Sequence, residues 1–192
     1  MVSYMNSFYT EEELKNLGLK SYGKNVLISK KCSIYGAKDI ELSDNVRIDD
    51  FCVLSGKIKI GKYVHVAAHC ALYAGDVGIE IDDFSGLSGR CSLYAISDDY
   101  SGNYLIGPCV PDSMRHVISG KVILEKYSII GAASVILPNV TIGEGTAVGA
   151  NSTVTKSLGD WGIYIGSPAK WIKTRNKNLI EYAKKLEVEN EL

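Results

Sequence analysis

The 192 residues include only three histidines, three phenylalanines, two tryptophans and four prolines. No uninterrupted apolar run approaches the roughly 18 residues that cross a bilayer, and no basic-then-apolar signal opens the chain. A cytoplasmic address is therefore expected, with no membrane partner. Neither sign of charge prevails, since 21 Lys and Arg face 22 Asp and Glu for a net −1. That balance gives no general attraction to nucleic acid. The five cysteines are odd in number and show neither CxxC nor Cys/His spacing, so neither a disulfide framework nor a zinc motif is readable. Zinc held by histidine needs three well-placed rings. His65 and His69 are close in sequence and His116 is remote, so no metal is expected.

What the chain has in excess is aliphatic rhythm, within a hydrophobic content of 46% that is enough for one domain with its own core. Leu42, Ile48, Leu54, Ile60, Val66 and Leu72 fall six apart. Ile81, Leu87 and Leu93 form a second block, and Leu124, Ile130, Ile136, Ile142, Val148 and Val154 a third. A period of six is neither the helical 3.6 nor the strand period of two. It fits short strands separated by corners, three to a coil, each coil pairing with the next at about 4.8 Å. Small or medium residues four positions on, such as Val46, Cys52, Val64, Cys70, Ser134 and Thr146, point inward as well. Cys52 and Cys70 should be stacked neighbours packed as small hydrophobes. Glycine directly after the aliphatic position is expected to supply a positive φ at the corner. The rhythm extends back through Ile40, Ile34 and Ile28.

It breaks twice. Three extra residues enter around Ala74-Gly75-Asp76, and a long departure runs from Leu93 to Leu124. An aperiodic segment of that length in a regular stack is usually functional, and this one is read as a loop that projects and walls off a site. The expected organisation is a helical cap over 1–24, a column over 25–155 with its loop at about 94–120, and a C-terminal segment over 156–192. Thr10 to Glu13 reads as a capping box before Leu14 and Leu17, with Gly18 as a stop. A second helix is expected over 176–190. Leu179, Ile180, Ala183 and Leu186 form its apolar face; Lys184, Lys185, Glu187, Glu189 and Glu191 form its solvated one.

The repeats Ile130-Gly131-Ala132-Ala133-Ser134-Val135 and Val148-Gly149-Ala150-Asn151-Ser152-Thr153, followed by Gly166-Ser167-Pro168-Ala169-Lys170, carry a family resemblance. The chain resembles the hexapeptide-repeat acyltransferases, in their xenobiotic and galactoside acetyltransferase-like branch. The resemblance implies an all-β, left-handed parallel β-helix, a homotrimer with active sites between adjacent β-helices, and an acyl-CoA donor, expected to be acetyl-CoA. The left hand comes only from the resemblance, because ordinary crossovers are right-handed.

A sugar hydroxyl needs a general base to attack a thioester, most often histidine. His65 lies between inward Val64 and Val66, so alternation turns it outward as a candidate base, with His69 as a candidate substrate contact. Many O-acetylating relatives carry a catalytic histidine early in the projecting loop, where this chain reads Ser97-Asp98-Asp99-Tyr100. The acid pair resembles instead the branch that acylates 4-amino sugars linked to dTDP, in the viosamine and anthrose pathways. An amine titrates nearer neutrality than a hydroxyl, and Asp98 or Asp99 can orient it and relay its proton. A turn-forming, solubilising role for the same pair is an equal alternative. Tyr100 and Arg115 are further candidate substrate contacts.

For the donor, Gly131 with Gly149 and Ala132 with Ala150 should stack as a shallow groove for a pantetheine arm. Lys170, Lys173 and Arg175 supply cations for the CoA phosphates. The function expected is acyl-CoA-dependent N-acylation of a nucleotide-linked 4-amino-4,6-dideoxy sugar, for surface polysaccharide or O-antigen. The alternatives are O-acetylation of a galactoside-like hydroxyl with His65 as base, and a non-catalytic hexad scaffold.

Overall fold

A computed structural model describes residues 7–189. Expectations that fall on residues 1–6 and 190–192, and on the side chain of Glu189, lie outside the described residues. The rhythm of six winds the backbone into a three-walled parallel column. Wall one stacks Leu27–Ile28, Arg47–Ile48, His65–Val66, Gly86–Leu87, Ile129–Ile130, Ala147–Val148 and Gly162–Ile165. Wall two stacks Ser33–Tyr35, Ser92–Tyr94, Val135–Ile136 and Thr153–Val154 with the first halves of Val53–Ile60 and Ala71–Ile81. Wall three joins the second halves of those two strands to Ser21–Tyr22, Ile40–Leu42, Val122–Leu124 and Thr141–Ile142. Strand pairing thus extends the column at both ends beyond 25–155.

Nearly every aliphatic residue of the beat is buried; Ile34, in the first coil, is half-buried. Each six-residue unit adds a second inward residue, and these also stack. Cys32, Cys52, Cys70 and Cys91 form one such ladder, continued by Ser134 and Ser152. The expected Cys52–Cys70 neighbourhood is therefore present, and all four thiols are buried and free. Cys52, Cys70 and Cys91 donate to the carbonyls of Ala67, Ser88 and Gly131 at 3.2, 3.1 and 3.2 Å. Burial pushes the Cys32 thiol up to about 12. Buried hydroxyls are satisfied likewise, Ser134 donating to Gly149 O at 3.0 Å and Thr146 to Gly159 O at 2.6 Å.

The corners correct one expectation. Gly131, Gly143 and Gly149 do not take positive φ. The left-handed residue comes two positions later, at Asn45, Phe51, Tyr63, His69, Phe84, Arg90, Tyr127, Ala133, Asn139, Gly145 and Asn151 in the regular units. Glycine is needed for close approach between coils: a Cβ on Gly131 would stand 2.5 Å from Ala150 N. Positive φ does govern Gly56 at +90°, where the two long strands bend between walls and a Cβ would meet Gly75 N at 2.6 Å. Register shifts there absorb the extra residues around Ala74-Gly75-Asp76.

Left-handed corner residues build an aromatic ladder down one edge, Tyr63, Phe84, Tyr127 and Trp161, with centroid steps of 4.8, 5.6 and 6.2 Å. Helix α2 (Leu179–Glu189) lays Leu179, Ile180 and Ala183 against it, and Leu186 stays more exposed. At the other end Thr10 and Glu13 cap helix α1 (Glu11–Lys15) reciprocally, and Leu14 plugs the first coil. The long departure is a hairpin, Ile96–Asp98 antiparallel to Val117–Ser119, closed at its base by Gly120 N donating to Ala95 O at 2.9 Å. No helix among the described residues is long and apolar enough to cross a membrane.

Candidate active site

Inward side chains fill the column, so a site for chemistry is sought on its edges. The edge between walls two and three carries the projecting hairpin. A cavity of about 520 Å³ lies between the two, lined by Tyr73, Tyr94, Ile96, Ser97, Asp98, Tyr100, Pro108, Arg115 and Val117. Three of the candidates, Asp98, Tyr100 and Arg115, are brought together there. Asp98 accepts from Gly107 N at 3.2 Å through Oδ2, and its other oxygen has no partner among the described residues. Asp99 turns back into the loop, accepting from Ser101 N and Oγ at 2.7 and 2.9 Å, with His116 Nδ1 at 3.6 Å. Those Ser101 hydrogen bonds and His116 hold its carboxyl below the ordinary value. The acid pair therefore divides into a cavity carboxylate and a loop-ordering one. Arg115 is paired with Asp112 at 2.7 Å.

The edge between walls one and two carries the other candidates, ordered along the column. His65 projects outward as alternation requires, and its Nε2 lies 2.8 Å from Asp49 Oδ2. Arg47 Nε donates to the second oxygen of Asp49 at 2.7 Å. Burial works to raise the Asp49 carboxyl, but the bonds from Arg47 and His65 outweigh it and hold it low. His69 occupies a left-handed corner at φ 63° and stacks on Phe51 at 5.0 Å. Further along, Gly131 stacks on Gly149 and Ala132 on Ala150, as expected from their spacing. The glycine amides are committed, to Val148 O and Tyr164 O at 2.7 and 2.8 Å. Ala132 and Ala150 are exposed residues whose amides donate to no other described residue.

Lys170 and Lys173 lie on the exposed strand Lys170–Thr174, opposite Ile165 and Ile163. A register shift between Ile163 and Tyr164 skips Ile172, so both lysines pair with residues two apart and share one face. Arg175 departs from its expected role as a phosphate cation. Its Nη1 donates to Tyr127 O and Gly145 O at 2.8 and 2.9 Å, and burial lowers its pKa. It ties the C-terminal segment to the column. Sequence reading missed Asp49, Tyr73 and Tyr94. The two tyrosines each follow an inward leucine, but the inserted residues space them 21 apart and hide the stack.

Comparison with known proteins agrees with this architecture. Residues 114–156 match the family described as bacterial transferase hexapeptide (six repeats). A dTDP-4-amino-4,6-dideoxy-D-glucose acyltransferase of Escherichia coli is 42% identical, over 91% of this chain and 92% of its own length. The chain belongs to the hexapeptide-repeat acyltransferases. Its column is the left-handed parallel β-helix of that fold. Crystal structures of AntD, an N-acyltransferase from Bacillus cereus, are 55% identical. One, of a serine-to-cysteine mutant in complex with dTDP-4-amino-4,6-dideoxyglucose and coenzyme A, superposes with a TM-score of 0.95 over 97% of this chain and all of its own. Another, with dTDP and 3-hydroxybutyryl-CoA, gives 0.96 over 98%. A maltose O-acetyltransferase from Clostridium difficile, 23% identical with a TM-score of 0.53, shares the fold.

Proposed function

We propose that this protein transfers an acyl group from acyl-CoA to the amine of a dTDP-linked 4-amino-4,6-dideoxy sugar, in the cytoplasm, for a surface polysaccharide such as an O-antigen. The observation that carries the reading is the loop cavity, which offers the half-free carboxylate of Asp98 where a hydroxyl-acylating enzyme needs a base such as histidine. The relatives' substrates agree with it. AntD variants have been solved with a serine or an aspartate replaced, ten positions apart in that chain. Ser88 and Asp98 stand ten apart here, as do Ser29 and Asp39, and only the first pair includes the cavity carboxylate.

Asp98 orients the amine by a charge-assisted hydrogen bond. The amine's free pair attacks the thioester carbonyl, the C–N bond forms, and the C–S bond breaks as the tetrahedral intermediate collapses. The amine's proton passes, directly or through Asp98, to the leaving thiolate. The amides of Ala132 and Ala150 hold the pantetheine arm, and Lys170 and Lys173 meet the phosphates. Acetyl is the acyl group proposed; the 3-hydroxybutyryl-CoA bound to AntD makes a longer chain the comparison to run. In one chain, the acceptor groups and the donor groups lie on different edges. A homotrimer joins them by setting the hairpin of one chain against the donor edge of the next. Leu105, Ile106, Met114 and Ile118 on that hairpin are exposed and apolar, as such a contact requires.

The Asp49–His65 bond favours one rival, O-acylation with His65 as base and Asp49 fixing its tautomer. Thiol release from acetyl-CoA decides between them. Release with a dTDP-4-amino-4,6-dideoxyhexose, lost in Asp98→Asn and largely kept in His65→Ala, is expected. Release with a galactoside, abolished by His65→Ala, refutes the amine reading.

A further inference from the structure

At the edge between walls one and two, the second inward residue of each unit is Cys32, Cys52, Cys70, Cys91, Ser134 or Ser152, a side chain able to donate in every coil. At the hairpin edge the same position holds Ile58 and Val140. The difference matters for the backbone. The carbonyls of Ala67, Ser88, Gly131 and Gly149, each the first residue of a corner between walls one and two, accept from no backbone amide among the described residues. Each accepts instead from the inward side chain of the preceding coil: Cys52 at 3.2 Å, Cys70 at 3.1 Å, Cys91 at 3.2 Å and Ser134 at 3.0 Å. All four donors are buried, so these carbonyls point into the column. A trans peptide sets its N–H on the side opposite its carbonyl. The amides that follow, those of Ala68, Gly89, Ala132 and Ala150, therefore face outward, and none of them donates to a described residue.

We infer that the Cys91 thiol and the Ser134 hydroxyl are positioning groups for the acyl donor: they hold the Gly131–Ala132 and Gly149–Ala150 peptides with N–H turned outward to the pantetheine arm. The inference rests on the proposed function and names the residues that prepare its donor edge. Both residues are fully buried, so each acts through one peptide plane and not by touching the ligand. A carbonyl left without a donor in a packed interior is costly. Without the thiol or hydroxyl, that cost is relieved by rotating the peptide, and the rotation carries its N–H away from the ligand. Fixing the plane beforehand removes this reorganisation from the binding step. Cys32 serves no corner, since its sulfur lies 3.9 Å from the carbonyl of its own neighbour Ser33. Its coil is also the one farthest from the donor edge at Ala132 and Ala150.

The test is titration calorimetry of CoA into the full chain, with the melting temperature recorded alongside. Cys91→Ala removes the donor and should weaken CoA about three- to tenfold, the worth of one hydrogen bond in affinity. Cys91→Ser should restore most of the binding, because Ser134 already donates from the equivalent position. Cys52→Ala removes the same kind of bond at Ala67, away from the donor edge; it should lower the melting temperature similarly and leave CoA affinity unchanged. In turnover, Cys91→Ala should raise the KM for acyl-CoA and not the KM for the amino sugar. The inference is overturned if Cys91→Ala binds CoA as the wild type does, or if Cys52→Ala weakens CoA equally. Should Cys91→Ala fail to fold, amide hydrogen exchange in the wild type decides. The Ala132 and Ala150 amides should exchange fast without CoA and slowly with it; slow exchange without CoA overturns the inference. Failure of the activity reading is seen separately: a wild type that binds CoA in this Cys91-dependent way but releases no thiol with any amino sugar keeps the positioning role and loses the reaction.

Discussion

Replacing Arg175 by alanine separates an anchor from a phosphate ligand. Its Nη1 serves two backbone carbonyls, Tyr127 O at 2.8 Å and Gly145 O at 2.9 Å, from successive coils. A hydrogen bond from a charged donor contributes about 1.5–3 kcal/mol. One nitrogen shared by two acceptors, already partly stripped of water, should be worth about 2–3 kcal/mol in all. For a chain of this size each kcal/mol moves the melting temperature by about 2–4 °C, so a fall of roughly 5–10 °C is expected. Lysine, with a point charge in place of the planar fork, should restore only part. The assay pairs scanning calorimetry with KM values for acyl-CoA and its 3′-dephospho analogue. Lys173→Ala should do the opposite: an unchanged melting temperature, and a raised KM for acyl-CoA that is smaller for the dephospho analogue. An Arg175→Ala protein that melts like the wild type but mimics Lys173→Ala in its kinetics would falsify the anchoring argument.

Other outcomes follow from single features. Gly131→Ala places a Cβ 2.5 Å from Ala150 N, which is backbone and cannot swing aside. Overpacking of this kind costs about 1–3 kcal/mol, measurable as a lower urea midpoint. Lys30 and the Thr10 amide hold the Glu13 carboxyl at about 2, against an ordinary 4.5. Its folded value is depressed, so its contribution is complete above pH 4.5 and fades as pH falls through about 2. Urea midpoints of wild type and Glu13→Gln should therefore converge from pH 5 to pH 2. Among the five cysteines only Cys109 is exposed. A thiol reagent should modify one sulfur quickly in the native protein and none in Cys109→Ser, and the remaining four only on unfolding.

The column was legible because each inward position repeats a demand that one type of residue meets, an aliphatic chain at the strand and a smaller group four residues later. Ile130, Ile136 and Ile142 carry that message unaided by any neighbour. The corners were misjudged because glycine has two uses. A sequence shows that Gly131 lacks a Cβ, but not whether φ or the adjacent coil forbids one. The site was legible only in parts. Asp98 and Asp99 are indistinguishable as letters, and the hairpin's pairing turns one into the cavity and the other into its own loop. Arg175 looked like a phosphate ligand because it follows Lys170 and Lys173; its commitment to carbonyls of residues 127 and 145 depends on contacts no local pattern records. The tyrosines were hidden by the inserted residues that shift Tyr94 out of the 18-residue register with Tyr73.

The hairpin leaves and rejoins the column at Ala95 and Gly120, whose backbones are joined by one hydrogen bond of 2.9 Å. Strands on either side stay in step, Ser92 beside Val135 and Ile79 beside Val122. The insert is thus like a handle clipped to a finished pillar. Lengthening, shortening or exchanging it leaves the pillar's own folding problem untouched. A lineage built this way can acquire new acceptors by rewriting two dozen residues while its donor machinery and its framework are inherited whole.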